Sequence, residues 1–370
     1  MGDTFPKFRA ASVQASPVFL DRQATVEKAC ILMKEASQNG AKLVVFPETF
    51  VPGFPYWIQL DIPSANFHFF KRLFEESVII PSPLTEDLCR GAREADIYLL
   101  MGMTEKVPLQ MGTMWSTNLL IDNQGRILGK HRKLVPTFAE KMVWANGDGS
   151  GLRVWETDIG RIGTLACGNN LNWLYRYALL AQGEEIHIAN YPASAYPASA
   201  SVVGSHVPPV DFLLANRMRS GSYSREGKVF TITSTSTINS EMVDLLCGED
   251  QKKRDRMNAC RAYSSITNPL GLFLAEVEDG ERIIYADIDV SEMITARQYH
   301  DMIGSYTRMD VVSLNLCQDE DRPLWHITRK EVAGEWKLDM LKELGRKQET
   351  ILKELESLKH LVAKISGKEK

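Results

Sequence analysis

The segment WSTNLLIDNQGRILGKHRK (residues 115–133) decides the fold, because it has the pattern of a β-hairpin inside a chain that otherwise alternates strands and helices. Apolar residues alternate on both sides of Asn123-Gln124-Gly125, which are residue types that form tight turns. Before it, strand-like and helix-like stretches alternate at 9–15, 24–37, 42–48, 65–78, 84–95 and 97–105. Strands that alternate with helices and also form hairpins predict mixed sheets covered by helices, a layered α/β arrangement.

The second half of the chain continues this mixture. LRVWETDIGRIGTLAC (152–167) predicts a second hairpin, which turns at 158–160. Helices are predicted in 172–183 and 210–227, strands in 185–194 and 228–237, and a third hairpin in 271–290 with its turn at Asp279-Gly280.

From about residue 330 the composition changes to Glu, Lys and Leu, which predicts a separate helical segment. Eight positions recur at alternating steps of three and four, the spacing of a heptad seam. They fit a helix folded back on its own domain and an intermolecular coiled coil equally well. We therefore predict a main domain over 1–320 and an extension over 321–370 with an amphipathic, coiled-coil-like helix. The seam consists of Leu341, Leu344, Gln348, Ile351, Leu355, Leu358, Val362 and Ile365.

Composition excludes several classes of protein. The 370 residues are 44% hydrophobic and 24% charged, with a formal net charge of −4, as in an ordinary soluble globular protein. The chain has no basic run interleaved with aromatic residues, so we expect no nucleic-acid partner. The N-terminus lacks an apolar leader, and no stretch reaches the roughly 20 apolar residues of a membrane span, so we expect a cytoplasmic protein. Six cysteines without a Cys-x-x-Cys pair predict neither a disulfide framework nor a metal site.

Three reactive groups stand at or just past the end of apolar, β-rich runs: Glu48 in VVFPET, Lys133 in KHRKLVPT and Cys167 in RIGTLACG. A thiol is nucleophilic only as thiolate, so it needs a base or a nearby cation at neutral pH. Glu48 is a candidate for the base and Lys133 for the cation, which suggests covalent attack on a carbon–nitrogen bond. The spacing alone also fits a Cys167 that merely ends a buried strand.

Longer motifs around these residues decide between the two interpretations. FPET followed by FVPGFPYW, HRKLVPT with a glutamate three residues later, a strand ending in ACG, and ALLAQGEEIHIANYP together resemble the nitrilase branch of the carbon–nitrogen hydrolase superfamily, over about residues 8–315. The resemblance implies a four-layer α-β-β-α sandwich, dimers that pair across helices, and growth into spiral oligomers. It also implies Glu48 as general base, Lys133 as stabiliser of the tetrahedral species, Cys167 as nucleophile and Glu140 as a second glutamate. No cofactor is implied.

The sequence departs from the family pattern after the nucleophile. Asn169 stands where a glutamate is expected and Trp173 where a proline is expected, while Ser305 and Met309 replace a histidine and a proline. A carboxylate near the reacting carbon favours loss of ammonia over loss of thiolate, and about 1.4 kcal/mol in that competition changes the product ratio tenfold. We therefore hypothesise a raised share of amide product.

The residues also suggest a substrate pocket. Gly168, where an aromatic residue is common, is expected to leave room beside the nucleophile, and aromatic residues are candidates for the walls of an apolar pocket. These aromatic residues are Tyr56, Trp57, Trp173 and Tyr191. We predict a nitrilase that converts an aliphatic or arylaliphatic nitrile to the acid and ammonia. An amidase or carbamoylase of the same superfamily, or a catalytically weakened assembly-forming homologue, are the alternatives.

Overall fold

The chain divides into two units, residues 1–320 and 321–370. The first unit is built around two six-stranded mixed sheets. The computed structural model describes residues 3–194, 211–320, 348 and 352–359. Its strands are β1 (Lys7–Gln14), β2 (Ala41–Val45), β3 (Tyr98–Lys106), β4 (Met114–Ile121), β5 (Ile127–Arg132), β6 (Trp155–Thr157), β7 (Gly160–Ala166), β8 (Ile186–Tyr191), β9 (Phe230–Thr235), β10 (Tyr263–Thr267), β11 (Phe273–Glu278) and β12 (Arg282–Asp289). Its helices are α1 (Arg22–Gln38), α2 (Phe67–Glu76), α3 (Pro83–Glu94), α4 (Trp173–Ala181), α5 (Phe212–Gly227), α6 (Ser240–Cys247), α7 (Gln251–Asn258) and α8 (Glu292–Tyr299).

The strand directions bring three loops to one end of the molecule. The first sheet has the order β12-β1-β2-β3-β4-β5 and the second β11-β10-β9-β8-β7-β6. Strands β2 and β3 are parallel, whereas β4 is antiparallel to both β3 and β5. The carboxyl ends of β2 and β5 and the amino end of β4 therefore lie at the same edge of the first sheet.

Helices cover the outer face of each sheet. One apolar core joins α1 and α3 to the first sheet, through residues such as Met33, Leu88 and Val44. A second core lies largely between the sheets, with Leu43 and Leu100 from the first and Ile188 and Ile232 from the second. Helix α4 packs on β7 and α5 on β9 and β10. The layers are α-β-β-α, which confirms the predicted fold class.

Local signals in the sequence fix where the helices begin. The Asp21 carboxylate accepts a hydrogen bond from the Ala24 N–H at the start of α1. Ser82 forms a capping box with Thr85, and Pro83 occupies the first turn of α3. Asn172 caps α4 through the N–H groups of Leu174 and Tyr175. These caps satisfy backbone donors that have no partner within the helix.

The predicted hairpin over 271–290 is wrong, although its turn is present. Asp279 and Gly280 both adopt positive φ angles, 46° and 73°. However, β11 pairs with β10 in the second sheet, while β12 crosses to the first sheet and pairs with β1. Alternation of apolar and polar residues specifies which face of a strand is buried but not which strand lies beside it. Each strand instead completes the edge of a different sheet.

Polar side chains connect the two sheets through their interior. Asn118 of β4 donates to Thr164 Oγ1 of β7 at 2.8 Å and to Asn190 Oδ1 of β8 at 3.2 Å. Asn190 returns a hydrogen bond to Asn118 Oδ1 at 2.6 Å. Because these amides are fully buried, an error in sheet stacking would leave them without partners. The pair thus favours one register between the sheets.

The second unit is described only in part. Residues 352–359 are helical, and Gln348, Leu355 and Leu358 of the predicted seam lie in helical positions. The other seam positions, Leu341, Leu344, Ile351, Val362 and Ile365, fall outside the described residues. Within the described chain, no helix combines the length and apolar character needed to cross a bilayer.

Candidate active site

Glu48 lies three residues beyond β2 and is buried at the common edge of the first sheet. Its Oε1 accepts hydrogen bonds from Ser116 Oγ at 3.0 Å and from Lys133 Nζ at 2.9 Å. Its Oε2 is also buried but has no hydrogen-bond partner among the described residues. One oxygen is therefore fixed in place, and the other is available to take a proton.

Lys133 follows β5 directly and carries a buried ammonium group between two carboxylates. Nζ donates to Glu48 Oε1 at 2.9 Å and to Glu140 Oε2 at 2.6 Å. Glu140 is held by its own turn, Phe138–Met142, because its Oε2 also accepts from the Thr137 N–H at 2.7 Å. An ammonium has three N–H donors, and these contacts occupy two of them. Among the described residues, these two carboxylates are the hydrogen-bond acceptors of this ammonium, whose side chain is fully buried.

Cys167 is the residue immediately after β7 in the second sheet, and it is half-buried. Its φ angle of 45° turns the backbone sharply out of the strand. Such an angle is uncommon for a residue other than glycine and persists only where the surroundings fix it. Thr49 and Phe138, which adjoin the other reactive segments, also have positive φ angles, 45° and 50°. Three residues with this conformation therefore adjoin the reactive segments, while Leu20, Asp96, Lys228 and Asp279 adopt it elsewhere in the described chain.

The pKa shifts are consistent with a neutral thiol and a cationic lysine in the resting site. Burial raises the pKa of the Cys167 thiol to about 12, although the Lys133 cation opposes this rise. Burial also raises the pKa of Glu48 to about 7, where Lys133 again opposes the effect and Glu140 adds to it. Burial lowers the pKa of Lys133, but Cys167, Glu48 and Glu140 outweigh it, so the pKa ends above its ordinary value.

This arrangement suits covalent catalysis. A carboxylate whose pKa lies near 7 is a good general base at neutral pH. A thiol with a high pKa loses its proton only when a base accepts it during attack, and a fixed ammonium stabilises the anion that develops on the substrate. The structure brings together Glu48, Lys133 and Glu140 by direct hydrogen bonds and sets Cys167 at the end of β7, where these charges affect its pKa.

Gly168 does not leave the space that the sequence suggested. A Cβ atom at this position would come within 2.6 Å of Thr137 Oγ1, so the room beside Cys167 is already occupied. The side chain of Asn169 is buried and faces the loop after Lys133. Its Oδ1 accepts from the Leu134 N–H at 2.8 Å, and its Nδ2 donates to Val135 O at 2.8 Å.

Tyr191 ends β8, the strand parallel to β7, and register places it beside Cys167 because Ala166 is opposite Asn190. The guanidinium of Arg219, from α5, lies 5.9 Å from the Tyr191 ring centroid. Tyr56 is fully buried, and its hydroxyl shares a hydrogen bond with Ser236 Oγ at 3.2 Å. Tyr191 is thus the predicted aromatic residue that lies beside Cys167 in the sheet register.

The remaining predicted pocket residues divide between a cavity and the surface. Trp57 stacks on Phe69 at 5.4 Å and lines an apolar cavity of about 280 Å³. The cavity is also walled by Met142 and Val143, which lie two and three residues after Glu140 in the chain. Trp173 is 66% exposed at the start of α4, over the Arg176 guanidinium. Ser305 and Met309 are exposed in the irregular segment after α8.

Sequence reasoning missed Ser116, Trp144 and Arg219. Ser116 holds Glu48, and the Trp144 ring lies 6.0 Å from Lys133 Nζ. Arg219 lowers the pKa of Cys167, against the larger effect of burial. Nothing in the local pattern marks any of the three, because only the fold brings their segments to the site. In the part of the chain that the structure describes, no group of three or more His, Cys, Asp or Glu side chains is arranged to hold a metal ion.

Comparison with known proteins gives consistent matches. Residues 9–298 match the family model described as carbon-nitrogen hydrolase. A nitrilase of Bacillus sp. (strain OxB-1) is 35% identical, over 87% of this chain and 92% of that protein. An aliphatic nitrilase of Rhodococcus rhodochrous is 34% identical, over 91% of this chain and 92% of that protein. A carbon-nitrogen hydrolase structure from Helicobacter pylori G27 aligns with a TM-score of 0.63 at 19% identity, covering 82% of this chain and 96% of that one.

Proposed function

The chain belongs to the carbon–nitrogen hydrolase family, and from this premise we propose that it is a nitrilase. It converts an organic nitrile and two molecules of water to a carboxylic acid and ammonia. The observation that carries the proposal is the buried Glu48–Lys133–Glu140 cluster, with its 2.9 and 2.6 Å bonds, at the end of the sandwich where β7 delivers Cys167. Identity of about 34% to proteins named nitrilases, over most of the chain, supports the substrate class.

The reaction begins when the Cys167 sulfur bonds to the nitrile carbon. Glu48 accepts the thiol proton, at its unpartnered Oε2, and passes it to the nitrile nitrogen, which gives a thioimidate. Water then adds to the carbon as Glu48 takes its proton and passes it to the nitrogen. The hydroxyl proton follows by the same route, the C–N bond breaks, and ammonia leaves the thioester. The remaining thioester is hydrolysed by a second water, which releases the acid and restores the thiol. Lys133 stabilises the charge that develops on nitrogen first and on oxygen later.

The substrate in this proposal is an aliphatic or arylaliphatic nitrile. The apolar cavity beside Trp57 begins at Met142 and Val143, in the same segment that carries Glu140. Its volume of about 280 Å³ is near the lower end of small-ligand sites. An apolar substituent seated there would exclude water from the charged cluster and strengthen its electrostatic contacts.

The test is a panel of aliphatic and arylaliphatic nitriles with their matching amides, in which ammonia, acid and amide are quantified together. We expect turnover of nitriles, with an amide fraction among the products. Cys167→Ala should abolish turnover, whereas Cys89→Ala, at a half-buried cysteine of α3, should leave it unchanged. Turnover of the amides alone would show an amidase or carbamoylase. Inertness toward the whole panel, with filaments that disassemble when 335–370 is removed, would favour an assembly protein.

We further propose that the protein is cytoplasmic and forms homo-oligomers built from dimers. Helices α4 and α5 present large apolar side chains to solvent in the single chain, and they contact each other through Arg176 and Glu226. These exposed side chains are Trp173 (66%), Leu174 (61%), Leu214 (54%) and Met218 (64%). Burying them against a second copy would give the dimer. Light scattering of the wild type beside Leu174→Glu tests this, since a monomeric wild type would contradict it.

A further inference from the structure

A buried polar network lies directly behind the nucleophile, and the reaction as described makes no use of it. Asn170, three residues beyond Cys167, donates from Nδ2 to Cys167 O at 3.0 Å and to Leu165 O at 2.9 Å. One amide group thus holds carbonyls on both sides of the point where β7 ends. This clamp coincides with the positive φ angle of Cys167.

His187 of β8 fixes the orientation of Asn170. Its Nε2 lies 2.7 Å from Asn170 Oδ1. Because Asn170 Nδ2 faces two carbonyl oxygens, the amide oxygen must be the atom that faces the ring, so Nε2 carries a hydrogen and donates it. The other ring nitrogen, Nδ1, shares a hydrogen bond of 2.8 Å with Glu184 Oε1. The ring is therefore held from both sides.

Tyr223 completes the network. The Tyr223 hydroxyl donates to Glu184 Oε2 at 2.7 Å, and the Tyr223 ring stacks on His187 with centroids 3.6 Å apart. Gly163 of β7 makes room for Glu184, since a Cβ atom there would overlap the Glu184 carboxylate. Asn170, His187, Glu184 and Tyr223 are all buried. We call these four residues the elbow network.

We propose that the elbow network is a positioning device, which holds Cys167 in its left-handed backbone conformation so that the sulfur faces Glu48 and Lys133. A strained φ angle persists only where neighbouring contacts over-determine it. Asn170, in the turn after β7, contacts the Cys167 carbonyl directly, and His187 of β8, Glu184 just before β8 and Tyr223 of α5 hold Asn170 in place. None of the four side chains is assigned a contact with substrate. The proposal rests on Cys167 being the nucleophile of the proposed nitrilase.

The decisive variants are Asn170→Asp and Asn170→Ala. Asn170→Asp keeps the size of the side chain but loses the N–H donors to the two carbonyls. It should therefore lower kcat as much as Asn170→Ala does. We expect each to lower kcat about 10²-fold, the cost of misplacing a reacting group by about 1 Å, with KM changed less than threefold. Tyr223→Phe, which keeps the stacked ring, should lower kcat by less. Asn268→Ala, at an asparagine that holds the Leu270–Leu272 turn, is the matched control.

A second readout does not depend on the substrate. The rate of Cys167 alkylation by iodoacetamide, followed by peptide mass mapping, should fall in the Asn170 variants and stay at the wild-type value in Asn268→Ala. Unchanged kcat and alkylation in folded Asn170→Asp would overturn the proposal. Should both Asn170 variants fail to fold, wild-type rates in Tyr223→Phe and His187→Gln would overturn it equally. If the wild type turns over no nitrile, the proposed function fails, while the alkylation rates still decide the role of the network.

Discussion

Replacing Lys133 by Met gives the most informative prediction, because the change acts on rate, pH dependence and stability at once. It removes the ammonium that bonds Glu48 Oε1 at 2.9 Å and Glu140 Oε2 at 2.6 Å, while leaving a side chain of similar length. Loss of one such preorganised donor lowers kcat roughly 10²- to 10³-fold. We expect at least this fall, because Lys133 also lowers the pKa of Cys167 and its loss makes the thiol harder to ionise.

The pH profile gives a signed test of the same change. Glu48, with a pKa of about 7, must be ionised to accept a proton, so the wild-type rate should decline below pH 7 and reach about a tenth of its plateau at pH 6. Lys133 lowers the pKa of Glu48, so Lys133→Met should move this acid limb to higher pH. Initial rates of ammonia release from pH 5 to 10 measure both the amplitude and the midpoint.

The variant should also lose stability, and the loss should depend on pH. Breaking a buried ion pair by removing one partner costs about 3–5 kcal/mol. In the variant the folded-state pKa of Glu48 stays above its unfolded value, so the folded protein binds that proton more tightly. Protonated Glu48 therefore contributes to the free energy of unfolding. This stabilisation is fully present below the unfolded-state pKa of Glu48 and is lost as the pH rises through its folded-state pKa. Urea unfolding should therefore show a larger deficit at pH 8 than at pH 5.

The matched control is Lys130→Met, three residues earlier on β5. Lys130 pairs with Glu105 at 2.6 Å, away from the Glu48 cluster, and Arg132 also holds Glu105. Its activity should stay within about twofold of wild type, with an unmoved acid limb. A Lys133→Met enzyme that keeps more than a tenth of the wild-type kcat, or whose acid limb moves to lower pH, would refute the reasoning.

Three further predictions concern the surroundings of the thiol. Arg219→Gln removes a cation that lowers the pKa of Cys167, so the pH profile of its alkylation should shift upward, and a downward shift would contradict this. Gly168→Ala places a methyl group 2.6 Å from Thr137 Oγ1 and should cost about 1–3 kcal/mol in urea unfolding, with partial recovery when Thr137→Ala is added. Amide should accompany acid in the wild-type products because Asn169 lacks a carboxylate, and amide-free products across several substrates would disprove this.

The sequence predicted the layered fold because its strands and helices are marked by strong local signals. The hairpin at 115–133 and the alternating helices locate most elements of the sandwich. Strand β10 and helices α6, α7 and α8 escaped prediction, since all are of eight residues or fewer and carry weak periodicity. The pairing of β12 with β1 depends on contacts between distant segments, which no local pattern encodes.

The candidate site could be located in the sequence only where a reactive residue ends a strand. Glu48, Lys133 and Cys167 follow β2, β5 and β7 within three residues, so position and motif both indicate them. The inference about Gly168 failed because Thr137, from another loop, fills the adjacent space. The elbow network was missed for the same reason: His187 has the pattern of an ordinary strand residue, and only the fold sets Asn170 against it.

Because the reactive groups are divided between the two sheets, catalytic activity reports whether the two sheets of one chain have docked. Glu48 and Lys133 extend from the first sheet and Cys167 from the second, and the Asn118–Asn190 amide pair joins the sheets between them. During refolding, a molecule with one sheet complete and the other unformed has either its proton acceptor or its sulfur in place, never both. Ammonia production should therefore recover only with the final docking step, later than the circular dichroism signal of the strands.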